Sequence, residues 1–267
     1  MPALHMETIS PRRPRGSVEA TTRFAACLQR LSAVGCRLVV TAPSDWRTFA
    51  RGLRRFPDRR IEVGEHGQWE AAYRAFVGRT VAPHEAGSWR VLAVDRDDHV
   101  IGAITARFFC GEVVLEHLHV LSLLESTGPV FREHCELAVG DVLTACGRLQ
   151  RTPAEISHWA VAPGWHAALV AVTLSRAMGA LVAAFDAPLV LMAADNRRGE
   201  SARLMRLGGA PLGLAGRFSL PPFVHHASGA WIRLLLVDAP TFHVRSDSAP
   251  AADLALLREH AAIVSVA

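Results

Sequence analysis

The chain of 267 residues has no lysine, so all 29 residues counted as lysine or arginine are arginine. A coding bias toward arginine and alanine accounts for this. The guanidinium also suits two-point contacts with carboxylates and phosphates that an ammonium cannot make. Tyrosine is nearly as scarce: Tyr73 stands alone, which excludes chemistry that needs a phenol elsewhere in the chain.

Cysteine is sparse as well. Cys27, Cys36, Cys110, Cys135 and Cys146 are odd in number and contain no CxxC pair. That excludes a disulfide framework or zinc knuckle as the organising device and is expected of reduced thiols in a cytoplasmic protein. His134 beside Cys135 makes no thiol–imidazole pair, because adjacent helical positions face different directions. No apolar run follows the charged opening "MPALHMETISPRRPRGS", so no secretory signal is expected. The longest apolar stretch, Ala167 to Phe185, is interrupted by Ser175 and Arg176 and is read as a core helix, not a membrane span. Net charge is only +4, and the arginine clusters lack interleaved aromatics, which argues against a nucleic-acid partner.

Half of the residues are hydrophobic, enough for a sizeable single core. Residues 1–16 read as a disordered tail, 17–245 as one domain without an internal linker, and 246–267 as a C-terminal tail with a short helix. Within the domain, "SVEATTRFAACLQRLSA" has helical spacing at Phe24, Cys27, Leu28 and Leu31, and "CRLVVTA" is a strand. "WRTFARGLRRF" is a helix capped by Ser44 or Asp45, "RRIEVGE" a strand, and "QWEAAYRAFVGR" an amphipathic helix. "WRVLAVDRDDHVIGAITARFF" is a hairpin, and "EVVLEHLHVL" is expected to be another strand, with His117 and His119 on one face. "PVFREHCELAVGDVLTACGRL" follows as a helix with Phe131, Cys135, Leu137 and Val142 in phase. Then come the strand Glu155–Val161, the apolar helix, the strand Pro188–Ala194, and a short helix in "NRRGESARLMRLGG" with Asn196 as its cap. "FSLPPFVHH" and "WIRLLLVD" are late strands. The order predicts a mixed α/β or α+β sheet flanked by helices.

Three of these stretches carry a resemblance. "VAPGWHAALVAVTL" resembles the V-x-P-x-x-R-G-x-G-x-G/A-x-x-L loop and helix of GNAT-superfamily acetyltransferases, and "ADNRRGESARLMRLGG" their N-x-x-A-x-x-L-Y-x-x-L-G-F segment. "AEISHWAV" resembles the E-L/I-S-R-F/L-A-V strand of acyl-homoserine-lactone synthases and long-chain N-acyl amino acid synthases, whose closing segment "PPFVHHASGAWIRLLLVD" also resembles. The similarity spans about residues 65–240.

The resemblance implies a GNAT-like sheet in which two parallel strands splay, with an acyl thioester lying in the gap. Strand edges freed by a splay can bond the amides of a pantetheine arm. Val161, the helix start at His166, Ala167, Ala168 and Leu169, and Asn196 are the candidate donor-binding residues. Here His166 replaces the usual Arg, Leu169 a loop glycine and Leu204 the Tyr that protonates a leaving thiolate. A leucine where glycine lets the backbone approach a diphosphate predicts a weak grip on CoA. An acyl carrier protein, with one phosphodiester and an acidic surface, is the expected alternative donor, and Arg51, Arg54, Arg55, Arg59 and Arg60 form a basic face to meet it.

Glu155 and His158 map to the reaction cleft as candidate catalytic residues, a base and an amine-positioning or sulfur-protonating group. Three-residue spacing puts them on opposite strand faces, so a bulge is expected between them. Arg107 is the candidate ligand of an acceptor carboxylate, with His117 and His119 nearby as substrate-binding candidates. Two histidine pairs, His117/His119 and His225/His226, lack the cysteines and spacing of a metalloenzyme, and no metal is expected. The expected activity is transfer of an acyl group, fatty acyl by preference, from a carrier-protein or CoA thioester to the amine of an amino acid or similar small molecule. The alternatives are a GNAT-like binding module without catalysis and an acetyl-CoA-dependent N-acetyltransferase.

Overall fold

The computed structural model describes residues 17–43, 66–77, 88–109, 113–125, 127–164, 166–197, 199–214, 218–246 and 249–265. The arginine face at 51–60, the helix expected before it and the strand "RRIEVGE" lie outside these residues.

Helix α1 (Ser17–Ala33) leads into β1 (Arg37–Ala42), and α2 (His66–Val77) precedes the hairpin β2 (Trp89–Val94) and β3 (Val100–Phe108). A 3-10 turn (Leu115–His117) and the one-turn helix α3 (His119–Ser122) precede the long helix α4 (Pro129–Arg148). Next are β4 (Ala154–Val161), α5 (Ala167–Ala184), β5 (Leu189–Asp195) and α6 (Glu200–Arg206). The short strands β6 (Gly209–Pro211), β7 (Gly213–Leu214), β8 (Phe218–Ser219) and β9 (Phe223–His225) lead to the long β10 (Ala230–Asp238). Helices α7 (Ala239–Arg245) and α8 (Pro250–His260) and strand β11 (Ala261–Ser265) complete the described chain.

The strands form a nine-stranded sheet in the order β11-β1-β2-β3-β4-β5-β10-β6, with β9 also on β10, while β7 and β8 pair separately. Strands β4 and β5 are parallel, as are β1 and β11; the other pairs are antiparallel. Alternate side chains face two cores. Val91, Ile104, Ile156, Val190 and Leu235 meet α1, α5 and α8 on one face. Leu191 and Leu234 meet α3 and α4 on the other, where α2 covers Leu92 and Ala103 with Trp69 and Tyr73.

Helix α5 packs on the sheet at Gly102, where a Cβ would stand 2.6 Å from Val170 Cγ1. Only glycine lets the helix settle that low over β3. By length and composition α5 could also cross a membrane, but half of it is buried, with Leu174, Ala177, Met178 and Leu181 in the core.

Several readings need correction. The stretch "EVVLEHLHVL" is a turn and a short helix, not a strand, because Leu118, Leu121 and Leu124 are buried at a spacing of three. His117 and His119 therefore share no strand face. Leu137 of α4 is exposed, and Cys135, Ala138, Val139, Val142 and Cys146 form its buried stripe instead. "FSLPPFVHH" splits into β8 and β9 around Pro221 and Pro222, which have no N–H to give a ladder. The N-cap of α6 is Gly199 in a left-handed conformation rather than Asn196. Finally, the segment after Ser246 contains the short helix expected of a tail but does not stop there: α8 packs on α5 and α1, and β11 joins the edge of β1. Arg176 of α5 fixes this arrangement from beneath, bonding Ser246 O at 3.2 Å and facing the fully buried Asp253 carboxylate at 3.7 Å.

Candidate functional site

The parallel pair β4/β5 bonds only over Ala154↔Val190, Glu155↔Leu191 and Ile156↔Met192. Beyond that point β4 runs on to Val161 and β5 to Asp195 without pairing, so the strands splay. On its other edge β4 stays with β3 through Ala103↔Ala160 and Gly102↔Val161, but between these pairs and Thr105↔Ser157 one residue of β3, Ile104, opposes two of β4, His158 and Trp159. The extra residue is His158, with φ of 51°. This is the bulge that the Glu155/His158 spacing calls for.

The bulge sorts side chains. It places His158 on the α3 face, with its ring 4.5 Å from that of His119. It turns Trp159 to the opposite face, where the indole lines a cavity beneath the splay. Trp159 remains 38% exposed, so it stands at the cavity mouth.

Glu155 points to the α3 face and is only 3% exposed. Its carboxylate accepts the backbone N–H groups of His119 at 3.0 Å and Val120 at 2.7 Å, the first donors of α3. An anion in that position satisfies orphan N–H groups and complements the helix end. Glu155 thus fixes α3 and, through it, the His119 ring. Arg107 lies opposite Glu155 in the β3–β4 register and donates to the His117 carbonyl at 2.8 Å while its guanidinium sits over Phe109. Together these anchors pull residues 117–120 out of an extended course. Arg107, His119, Glu155 and His158 are assembled on one side of the splay, and the exposed His117 meets them through its backbone carbonyl.

The donor-binding candidates occupy its open end. Val161 ends β4 and packs partly against the α5-face core. His166 is the N-cap of α5; Ala167 N–H bonds Gly164 O, and Val170 N–H begins the helical ladder at His166 O. The Ala168 and Leu169 N–H groups thus belong to the first turn, ahead of the helix's own bonds. The Leu169 side chain turns to the core rather than across the helix end. Asn196 follows β5, gives its N–H to Trp231 O at 2.6 Å and accepts from Ser201 Oγ at 2.8 Å, so it braces α6. Leu204 is buried where a phenol would have been expected.

The α5-face cavity, about 40 Å³, is lined by Ile156, Trp159, Met192, Ser175, Phe242 and His243 among others. Sequence reasoning missed Trp159 and His243. A one-residue bulge decides the face of Trp159, and nothing in "TFHVR" distinguishes His243 from a surface histidine. Cys135 offers no nucleophile: burial and the neighbouring Glu136 push its thiol up to about 12. His225 bonds Ser228 in the β9–β10 turn. Among the described residues the only cluster of three close His, Cys, Asp or Glu ligand atoms is Asp95, Asp97 and His99 on the β2–β3 turn.

An antiparallel meander into a parallel pair that splays at a β4 bulge, with a helix starting just past the splay, is a GNAT-like arrangement. Among solved structures of similar course, TofI in a ternary complex with an inhibitor and MTA shares 12% identity over 81% of this chain and 99% of its own, with a TM-score of 0.44. BjaI, a CoA-dependent acyl-homoserine lactone synthase with MTA, shares 17% over 80% and 90% (TM-score 0.43), and FeeM, an N-acyl amino acid synthase from uncultured soil microbes, shares 12% over 79% and 95% (TM-score 0.40). No family model matches the sequence, and no curated protein does.

Proposed function

We propose that the protein is an N-acyltransferase moving an acyl group from a pantetheine thioester, on an acyl carrier protein or CoA, to the amine of an amino acid or similar small molecule. The observation that carries this reading is the end of β4/β5 pairing at Ile156↔Met192 with a histidine pair at the same level.

The splay gives the pantetheine arm two strand edges to bond, as an added strand would. Its phosphate meets the Ala168 and Leu169 N–H groups at the start of α5. The thioester lies in the splay beside Trp159 with its acyl chain directed to the α5 face, and the amine arrives from the α3 face. His158, held close to His119, takes a proton from the ammonium, and the amine attacks the thioester carbonyl. The C–N bond forms, the C–S bond breaks, the proton held by the histidine goes to the departing thiolate, and the second proton lost by the amine nitrogen passes to solvent, leaving an amide and a free thiol. Backbone N–H groups of the bulge stabilise the oxyanion. Glu155 acts through α3 as a positioning residue, and Arg107 receives the acceptor carboxylate.

A second reading, a GNAT-like binding module without turnover, is favoured by one fact: both Glu155 oxygens are engaged by backbone donors. One experiment separates the two. The purified protein is incubated with acyl carrier protein and CoA thioesters and a pool of amino acids, and mass spectrometry follows thioester loss and amide gain. Amide formation supports the enzyme; saturable thioester binding without amide supports the module; neither rejects both.

A further inference from the structure

Helix α7 supplies one wall of the cavity beneath the splay through Ala239, Phe242 and His243. Two glycines let it sit there. At Gly179 of α5 a Cβ would come within 3.2 Å of the His243 ring, and at Gly208, with φ of 111°, one would come within 3.0 Å of Thr241 Cγ2 and 3.1 Å of Phe242 N. Contacts this close give α7 two positions, seated or lifted, because packed surfaces are bistable rather than continuously deformable.

The seat is apolar where the imidazole enters it. Strands β4, β5 and β10 present Ile156, Trp159, Val190, Met192 and Val237, and α6 presents Leu204. Both His243 ring nitrogens are sealed from solvent, and among the described residues neither has a hydrogen-bond partner. The charged groups on the surrounding elements are engaged elsewhere. Asp238 caps α7 by accepting from Thr241 N–H at 2.7 Å, and Arg245 donates to Arg206 O at 3.2 Å. Arg176 of α5 donates to Ser246 O and faces Asp253, Glu200 of α6 accepts from Asp195 N–H, and Arg203 is exposed. Arg233, four residues before Val237 on the same face of β10, is a further cation and no counter-ion.

Charging the ring in that seat places an uncompensated cation in apolar surroundings. Burial accordingly pushes the His243 pKa down, while on a lifted α7 the ring titrates at the ordinary value of about 6.5. The lifted form binds the proton more readily, so falling pH favours it. We propose that α7 is an acid-released latch: a proton on the His243 imidazole lifts the helix from Gly179 and opens the cavity wall below Trp159, and loss of that proton reseats it. Asp238 and Ser246 mark the two ends of the moving segment, with β10 and α8 fixed on either side.

The test follows amide hydrogen exchange of the full chain by mass spectrometry between pH 7.5 and 5.0, corrected for the intrinsic pH dependence of exchange. A histidine that titrates near 6.5 in the lifted state raises the lifted population by up to about 30-fold over that range, so protection across residues 239–246 should fall about five- to 30-fold. Strand β10 up to Val237 and helix α8 should keep their protection, and return to pH 7.5 should restore the segment. H243L, apolar at every pH, should hold its protection constant, with circular dichroism as the check on its fold. In the unmodified chain the His243 ring, followed by NMR, should titrate below 6.5, with protection lost as pH falls from about 6.5 toward that midpoint. Constant protection of residues 239–246 in the parent would overturn the latch, as would an equal acid loss in folded H243L or a ring midpoint at 6.5 or above. Loss spread evenly over every helix would overturn it too, as global unfolding in place of local release. Activity is not read out, so each of these results leaves the acyltransferase reading where it stands.

Discussion

The rings of His158 and His119 face one another with centroids 4.5 Å apart and planes tilted by 52°. One ring rides on a strand bulge and the other on the first residue of a one-turn helix, so two separate local devices meet at the level where β4 and β5 part. Removing either imidazole tests the site. His158→Gly is the sharper variant, because the left-handed backbone at 158 suits glycine better than any L residue. It should melt no lower than the parent yet lose about 100- to 10,000-fold in amide formation, the range of general acid–base catalysis. Thermal melts and turnover measured together decide it, and an unchanged rate removes His158 from the chemistry.

Glu155→Gln should destabilise the fold by about 1–3 kcal/mol in urea titration, because an amide gives the His119 and Val120 N–H groups one acceptor oxygen in place of two. Its rate loss should follow the displacement of α3. Glu155→Gln with full stability would mean that the carboxylate holds nothing in place.

Arg107→Ala should raise KM for a carboxylate-bearing acceptor about tenfold or more while leaving the thioester KM unaltered. The readout is the pair of KM values under saturating co-substrate. An unaltered acceptor KM assigns Arg107 to the His117 carbonyl alone.

Protonation of His243 sets a dependence of stability on pH. Its folded-state pKa lies below the ordinary histidine value of about 6.5, so the unfolded chain takes up a proton more readily than the folded one. This histidine's contribution is fully present above that value and is lost as pH falls through about 6.5 toward the depressed folded value. Urea midpoints across pH 5–8 should drop on the acid side, and His243→Phe should flatten that part of the curve.

Cys135 should resist alkylation in the folded protein at pH 8 and react on unfolding, since its thiol is held near 12 by burial and Glu136. Labelling at Cys135 under native conditions would contradict the packing of α4.

Much of this was legible in the chain because it depends on local pattern. The hairpin, the Glu155–Val161 strand, the apolar helix and the next strand each follow from short-range periodicity. The bulge at His158 follows from two candidate residues three apart that must share a face. What escaped depends on tertiary contacts. The turn at Leu115–Ser122 looks extended by composition, and its leucine spacing becomes decisive only once Glu155 and Arg107 have captured its backbone. The strand after Glu259 and His260 has no partner in its own neighbourhood of sequence, so helical continuation is the natural reading of "AADLALLREHAAIVSVA". His243 gains meaning only from the glycine on another helix against which it sits.

The parallel pairing of β1 with β11 joins Leu38 to Ala261 and Ala42 to Ser265. A ribosome adding about 5–20 residues per second needs roughly 10–45 s to travel from one partner to the other. Throughout that interval the nascent chain presents the flank of β1 as an unclosed seam, a docking edge for chaperones and for other unfinished copies. Assembly of this sheet therefore closes late, and crowded expression at high temperature punishes the wait.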